Sequence, residues 1–366
     1  MKILILTNGY LAEGVSGGEK HLIDIAEQWA AEHEVTFMLP SFAAGRIRTP
    51  VRSVSYKSWK PASILGIVTT YSIRTFQALN IIRRERADLV ICSPGLLDVI
   101  PGLFHKAIYR SRVAIYAYHL AAKRPAHSLL KRFQYALYRL NQWFSVRLFK
   151  KADAIITCNE YVKQMLVDLG IEANKVRVVF LAVNVDQVRA AKPRRKCQAL
   201  FIGRLVAQKG VFDIIEAVRD LPVTVGLVGN GEEHDSLQKL IRENKMEDRV
   251  QLLGYIIDTD PLLYELLQGC DFFLFPSYEE GYGIVIAEAI AANKPVIAYE
   301  LAHYGTAFNN SVITVPKGDV AALKQKIEDL MAGNIDLNLI HERYSGVTLL
   351  SPAESAAANL EAILRR

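Results

Sequence analysis

Short apolar runs alternate with amphipathic stretches along almost the whole chain, a pattern typical of α/β proteins with parallel sheets. The apolar runs indicate strands that are buried on both faces. Strands are predicted at 3–6, 35–39, 51–56, 89–92, 113–118, 154–157, 176–180, 199–202, 223–228, 250–253, 272–275, 296–298 and 312–315. Helices are predicted between them, in the first half at 19–31, 72–86, 97–109, 128–151 and 161–169, and a last helix at 352–364.

The chain has 366 residues, too many for one ordinary hydrophobic core and suited to two domains. The strand pattern restarts after a charged, proline-containing stretch, which we interpret as an interdomain linker. The predicted division is a first domain at 1–188, a linker at 189–197 and a second domain at 198–351.

The distribution of apolar residues and cysteines also predicts where in the cell the protein is located. No apolar run reaches the roughly 18 residues that span a bilayer. The apolar N-terminus meets Asn8 and Gly9 at once, so it is interpreted as a first strand and not as a signal peptide. The cysteines (Cys92, Cys158, Cys197 and Cys270) show no paired spacing, which favours buried free thiols. A cytoplasmic location is predicted.

Charge is distributed unevenly along the chain. Residues 1–190 hold 26 Lys and Arg against 14 Asp and Glu, whereas residues 191–366 hold 18 against 24. Acidic residues are absent from 35–84 and from 99–152. A solvated basic surface explains any single lysine, but two such long windows predict that the first half faces an anionic partner.

The most informative stretch runs from Asp271 to Ala298 and has the order strand, glycine-bearing loop, helix, strand. This order brings backbone N–H groups at a helix N-terminus to the end of a strand, which is an anion site. Glu280 lies in the loop, and Glu288 lies roughly 6 Å along the helix. Carboxylates accept hydrogen bonds from sugar hydroxyls, so the stretch predicts a site for a nucleotide sugar.

Two further strand-to-helix loops carry candidate residues. The loop from Gly203 to Gly210 contains Arg204 and Lys209, which can neutralise a diphosphate; two surface cations are the equally good alternative. Gly17 and Gly18 lie before the first predicted helix, where glycine allows a ligand close to the backbone; a simple loop explains them as well.

Three more positions follow strands. Gly229 and Asn230 form a turn that leaves room for a ribose or a flat ring, although a tight turn is the default explanation. Tyr255 begins a segment whose backbone can pass along a base. His119 closes a strand, where ligands bind in open α/β sheets, but a lone histidine is more often structural.

The predicted helix at 128–151 interleaves Arg and Lys with aromatic residues. Core packing accounts for many of the aromatics, and basic residues beside exposed ones fit an interfacial membrane contact. Nucleic acid is the competing anion, but the chain contains no recognisable nucleic-acid-binding module.

Together these motifs resemble those of the family 4 retaining glycosyltransferases of the GT-B fold. The Glu280-x7-Glu288 spacing is similar to that family's E-x7-E signature, the segment from Gly203 to Gly210 to its phosphate loop, and Gly17-Gly18 to a third element. The resemblance implies two Rossmann-like α/β domains with parallel sheets facing across a cleft. It also implies that the C-terminal helix at 352–366 returns to the first domain.

The resemblance further implies roles. Arg204 and Lys209 hold the donor diphosphate, Glu280 the transferred sugar, and His119 lies near its outer hydroxyls. The implied donor-binding residues are Gly17, Gly18, Gly203, Gly229, Asn230, Tyr255, Gly281, Tyr282, Gly283, Ile284, Val285 and Glu288, the last of these for the ribose. The family usually needs no metal or cofactor besides the nucleoside-diphosphate sugar.

The chain departs from the family pattern at 183–186, at Asn293 and at 299–304, which affects the acceptor side and the choice of sugar more than the fold. The expected function is sugar transfer to a glycolipid or lipid-linked glycan, by a protein peripheral at the inner membrane face. A sugar phosphorylase, a sugar-nucleotide epimerase, a non-catalytic nucleotide-sugar binder and a basic nucleic-acid binder are the alternatives.

Overall fold

The structure is a computed structural model that describes residues 1–7, 17–40, 47, 50–56, 75–118, 139–140, 142–257 and 260–365. The chain divides into two compact units. The first comprises Met1–Ala182 and Pro352–Arg366, and the second comprises Val183–Ser351. Among the described residues, none of the helices combines the length and the apolar composition that crossing a bilayer requires.

The first unit is built on a seven-stranded parallel sheet in the order β3-β2-β1-β4-β5-β6-β7. Its strands are β1 (Lys2–Leu6), β2 (Glu34–Pro40), β3 (Arg52–Tyr56), β4 (Leu89–Cys92), β5 (Arg112–Tyr116), β6 (Ala154–Thr157) and β7 (Val176–Val178). The helices described are α1 (Gly17–Trp29), α2 (75–84), α3 (Leu96–Tyr109), α4 (142–149) and α5 (Glu160–Asp168). Only 139–140 and 142–149 of the predicted helix at 128–151 belong to the described residues.

The second unit is built on a six-stranded parallel sheet in the order β10-β9-β8-β11-β12-β13. Its strands are β8 (Ala199–Ile202), β9 (Val225–Val228), β10 (Val250–Gly254), β11 (Phe272–Phe275), β12 (Val296–Tyr299) and β13 (Ile313–Val315). Its helices are α6 (Val185–Ala190), α7 (Val211–Val218), α8 (His234–Glu243), α9 (Pro261–Gly269), α10 (Ile284–Ala291), α11 (Tyr304–Ala307), α12 (Val320–Met331) and α13 (Leu337–Tyr344). The α/β prediction with parallel sheets is confirmed.

The C-terminal helix α14 (Pro352–Leu364) belongs to the first unit, as the resemblance implies. It packs beside α1, where the indole Nε1 of Trp29 donates a hydrogen bond to the carbonyl oxygen of Ala356 at 2.9 Å. The Ser355 hydroxyl donates to the carbonyl oxygen of Phe180 at 3.2 Å, and the side chain of Ile363 is fully buried.

The stretch predicted as a linker, 189–197, lies inside the second unit. Its first residues belong to α6, and the guanidinium of Arg195 holds the carboxylate of Asp271 with two bonds of 2.7 Å. The chain passes between the units earlier, after Ala182, and again after Ser351. The thiols of the four cysteines are free and buried, as predicted.

Candidate active site

In each sheet, the strand order reverses beside its first strand, at β1/β4 and at β8/β11. In open parallel sheets a crevice forms outside the carboxyl ends of the strands at such a reversal, and ligands bind there. In the second unit the loops that leave this point are the segment after β8, from Gly203 to Gly210, and the segment after β11, from Pro276 to Gly283. These are the two loops that the sequence predicts for diphosphate and sugar.

The two loops are held against each other by their backbones. The amide of Tyr278 donates to the carbonyl oxygen of Gln208 at 2.8 Å, and the Ser277 hydroxyl donates to the same oxygen at 3.3 Å. Gly210 has φ +67°, and a Cβ there would collide with the carbonyl oxygen of Pro276. Glycine at this position is therefore required by the contact between the loops as well as by its left-handed conformation.

Lys209 and Glu280 meet where these loops touch, and their side chains form an ion pair. Their side chains are only 15% and 14% exposed, so solvent screens the pair little. The ammonium of Lys209 also lies 5.3 Å from the centroid of the Phe275 ring. The sequence assigns these residues separate tasks, and their direct pairing has no signal in the sequence.

Gly203 follows β8, and its amide donates to the carbonyl oxygen of Val228 at 3.0 Å. Arg204 comes next and is exposed. The guanidinium and the Lys209 ammonium belong to the same short loop, which brings two cations to the end of the sheet. This arrangement suits an anion with two charged groups.

The N-terminus of α10 begins at Gly283, whose φ of +92° starts the helix at Ile284. The first N–H groups of a helix have no partner inside it and carry the positive end of the helix dipole. Gly281, Ile284 and Val285 are half-buried, so this end of the helix is accessible. Tyr282 is buried instead, with its ring 5.4 Å from that of Phe308.

Glu288 lies one turn inside α10 and is 3% exposed. The hydroxyl of Tyr264 donates to its Oε1 at 3.1 Å, and Tyr264 is itself buried in α9. A carboxylate can accept more than one hydrogen bond, so the bond from Tyr264 orients Glu288 and leaves it able to accept from a ligand hydroxyl. Tyr264 lies outside every motif, so nothing in the sequence indicates its contact with Glu288.

Packing requires a glycine at position 229, in the turn after β9. Gly229 has φ +143°, its amide donates to the carbonyl oxygen of Gly254 at 2.8 Å, and a Cβ would collide with the carbonyl oxygen of Gly203. The exposed Asn230 accepts at Oδ1 from the amide of Gly231 at 2.8 Å. Tyr255, after β10, is half exposed.

Two of the candidate residues of the first unit are glycines of α1. Gly17 and Gly18 are the first residues of α1 and not a loop before it. A Cβ at Gly18 would lie 2.8 Å from the ring of Tyr118, so this glycine makes room for a side chain. His119 lies outside the described residues.

A carboxylate that the motifs did not include follows the first of these loops in the second unit. Oδ2 of Asp213, in the first turn of α7, accepts hydrogen bonds from the hydroxyls of Tyr278 and Tyr299, each at 2.7 Å. Burial and the bond to Asp213 raise the pKa of Tyr278 to about 12. Burial, and to a lesser degree the charge of Glu280, raise the pKa of Tyr304 as well.

Two further observations bound the site. Within the described part of the chain, no group of three or more His, Cys, Asp or Glu side chains is placed to hold a metal ion. A cavity of about 490 Å³ lies at the opposite end of α10, beside Ala292, Asn293 and His341. None of the predicted site residues lines it, so it is separate from the candidate active site.

Comparisons with known proteins follow the same division. The family described as Glycosyltransferase Family 4 matches residues 15–187, and the family described as Glycosyl transferases group 1 matches residues 184–344. The lipopolysaccharide core biosynthesis glycosyltransferase LpsE of Rhizobium meliloti is 30% identical over 195 residues, which cover 51% of this chain and 56% of that relative. The chain spans about half the length of the curated relatives that it matches first.

Solved structures share the fold over nearly the whole chain. Anabaena Alr3699/HepE in complex with UDP and glucose has a TM-score of 0.71 at 18% identity and covers 99% of both chains. Sucrose-phosphate synthase from Thermosynechococcus elongatus has a TM-score of 0.77 at 18% identity, covering 98% of this chain and 97% of that one. At these identities the likeness is one of fold.

Proposed function

Since the chain belongs to the group 1, family 4 type of glycosyltransferases, which have the GT-B fold, we propose that it transfers a sugar from a nucleoside-diphosphate sugar to an acceptor hydroxyl with retention of anomeric configuration. The observation that carries the proposal is the meeting of Lys209, Glu280 and the N-terminus of α10 at the strand reversal of the second sheet. Positive charge and a sugar-binding carboxylate are adjacent there.

In the proposed reaction the donor diphosphate lies against Arg204, Lys209 and the first N–H groups of α10. These groups stabilise the negative charge that develops as the bond between the anomeric carbon and the phosphate oxygen breaks. The acceptor hydroxyl attacks the same face, and the departing phosphate oxygen takes its proton. Glu280 orients the sugar and Glu288 binds the ribose, so neither acts as a covalent nucleophile.

We expect no metal requirement, because two cations and a helix N-terminus supply positive charge for the diphosphate. The donor is found by a thermal-shift screen of UDP, GDP, ADP and their glucose conjugates, since a tight ligand raises the melting temperature. Release of the nucleotide from the best donor, measured with and without EDTA, then tests the metal expectation. NMR of the transferred sugar's anomeric proton distinguishes retention from inversion.

Lys209→Ala and Glu288→Ala should each weaken binding of the best nucleotide at least tenfold, because each loses a charged hydrogen bond worth about 1.5–3 kcal/mol. Isothermal calorimetry measures the dissociation constant. Lys239→Ala is the matched control, since Lys239 is 75% exposed on α8 and pairs with Glu243 in the same helix. Unchanged nucleotide binding in both test variants contradicts the site assignment.

For the acceptor we propose a glycolipid or a lipid-linked glycan, reached by the first unit at the inner face of a membrane. Helix α3 supports this, because Ile100, Phe104 and Ile108 recur every fourth residue and are 40–49% exposed. Its buried Val99 joins the core cluster that also contains Val146 of α4, so the two helices cover the same face of the sheet.

Helix α4 and the residues before it add exposed apolar and basic side chains to that face. Leu140, Trp143 and Phe144 are about half exposed, and the guanidinium of Arg147 lies 3.2 Å from the centroid of the Trp143 ring. An apolar surface with cations beside it fits the headgroup region of an anionic bilayer. The lipopolysaccharide role in the name of LpsE agrees with this proposal.

Phe104→Ser and Trp143→Ser should each lower the fraction of protein that sediments with anionic vesicles, by about tenfold in partition coefficient for a fully buried aromatic side chain. Binding should also weaken as salt is raised. Leu339→Ser provides the control, because Leu339 is 43% exposed in the second unit. Equal sedimentation of the unaltered protein with neutral vesicles removes the membrane proposal.

A further inference from the structure

Three side chains far apart in the sequence meet at one oxygen atom. Oδ2 of Asp213 accepts from the hydroxyls of Tyr278 and Tyr299, both at 2.7 Å, and the two phenol rings lie 5.2 Å apart. Asp213 belongs to α7, Tyr278 to the loop after β11, and Tyr299 is the last residue of β12. The cluster therefore joins three elements at the carboxyl edge of the second sheet.

The two hydrogen bonds to Asp213 are strong ones. A hydroxyl that donates to a carboxylate makes a charge-assisted bond, which is shorter and stronger than one between neutral groups. Burial, together with the bond to Asp213, raises the pKa values of Tyr278 and Tyr299, so both phenols keep the proton that they donate. A carboxylate can accept both bonds at once.

Tyr278 is thereby held at two points to the segment that carries Lys209. Its amide donates to the carbonyl oxygen of Gln208 at 2.8 Å, and its hydroxyl donates to Asp213. Lys209 lies between these two anchoring residues, and Glu280, two residues after Tyr278, pairs with it. The relative position of the Lys209 ammonium and the Glu280 carboxylate thus depends on how firmly Tyr278 is held.

We propose that Asp213 is a positioning residue of the active site, which acts through Tyr278 to hold Glu280 in register with Lys209. The inference rests on the proposed function, because it needs Glu280 to orient the transferred sugar. Displacement of a sugar-orienting group by about 1 Å can cost on the order of 100-fold in rate. The displacement falls on Glu280 and not on the groups that bind the diphosphate, so nucleotide affinity should change less than the rate of transfer.

Tyr299 offers a matched control inside the same cluster. Its hydroxyl makes the same bond to the same oxygen as that of Tyr278, but it belongs to a strand and is fully buried. Tyr299→Phe removes one hydrogen bond to Asp213 and leaves the loop attached. Tyr278→Phe removes one hydrogen bond too, but it leaves residue 278, in the loop that carries Glu280, held only by its amide bond to Gln208.

The test uses the donor found in the thermal-shift screen. Nucleotide release at saturating donor gives kcat, and KM for the donor and the melting temperature are measured for each variant. We expect Tyr278→Phe to lower kcat about tenfold, with KM for the donor within twofold of the unaltered protein. Tyr299→Phe should keep kcat within twofold, with a similar loss of melting temperature. Asp213→Asn should recover part of the kcat that Asp213→Ala loses, because its amide oxygen can still accept from Tyr278.

Equal kcat for Tyr278→Phe and Tyr299→Phe overturns the inference and leaves Asp213 a purely structural residue. A rise in KM without a fall in kcat overturns it too. The proposed function fails by a different result, which is normal nucleotide binding by Lys209→Ala and Glu288→Ala. The two failures are therefore distinguished by calorimetry on variants that leave Asp213, Tyr278 and Tyr299 intact.

Discussion

His21 is a buried imidazole whose protonation is opposed by its surroundings. It is 1% exposed in α1, and its Nδ1 accepts a hydrogen bond from the amide of Ala182 at 3.0 Å. Burial lowers the pKa of His21 to about 3, so the folded protein keeps the ring neutral. An accepting nitrogen cannot carry a proton, which agrees with this direction.

The first unit should lose stability as the pH falls below about 6.5, because the unfolded chain then protonates His21 while the folded chain does not. For His21 alone the loss between pH 7.5 and 5.5 is about 1.4 kcal/mol in the free energy of unfolding. Urea unfolding followed by tryptophan fluorescence measures it, since Trp29, Trp59 and Trp143, the three tryptophans of the chain, belong to the first unit.

His21→Asn supplies the comparison, because its amide oxygen can accept from Ala182 and does not titrate in this range. The variant should lose about 1.4 kcal/mol less over the same pH interval. Burial also lowers the pKa of His105, but His105 is present in both proteins and cancels in the difference. An identical pH dependence in the two proteins contradicts the assignment to His21.

Among individual residues, those inside short local motifs are the ones whose position in the fold can be predicted from sequence. Glu280, Lys209 and Arg204 lie in loops that directly follow apolar strands, so both their chemistry and their place at the sheet edge are visible. Asp213 and Tyr264 have no such local context. Their partners Tyr278 and Glu288 come from other elements and are brought near only by the order of strands in the sheet.

Among the elements, the buried strands are predicted best and the ends of helices less well. β4, β6, β8 and β11 are continuous apolar runs bounded by polar or turn residues, so each has the predicted bounds. Helix α1 begins earlier than predicted, at Gly17, because a pair of glycines favours a loop in the sequence although the first turn of a helix tolerates them. Strand order cannot be predicted from these runs, since every one of them fits any central position of a parallel sheet.

The glycines at the strand ends of the second unit show why a glycine needed for packing cannot be distinguished, from sequence, from one that binds a ligand. β8, β9 and β10 are neighbours, and Gly203, Gly229 and Gly254 touch through their backbones at that edge. A glycine needed for backbone contact looks the same in sequence as one that makes room for a ligand. The contact between Gly229 and Gly203 explains these two glycines by packing. A glycine that packing requires can also make room for a ligand.

The whole molecule consists of two units that the chain connects twice, and α14 completes the first of them from the far end of the sequence. A long-range contact of this kind adds stability only if its buried side chains offset the entropy of closing the chain. Ile363 is fully buried and the Trp29 indole is bonded to Ala356, so α14 is part of the hydrophobic core of the first unit.

Ile363→Ala should therefore destabilise the first unit by about 2–5 kcal/mol, the range found when a buried isoleucine or leucine is truncated to alanine. Tryptophan fluorescence during urea unfolding reports this loss for the first unit. Leu364→Ala is the control at the next position, because Leu364 is 38% exposed and should cost less than about 1 kcal/mol. If both variants unfold like the unaltered protein, α14 does not stabilise the first unit.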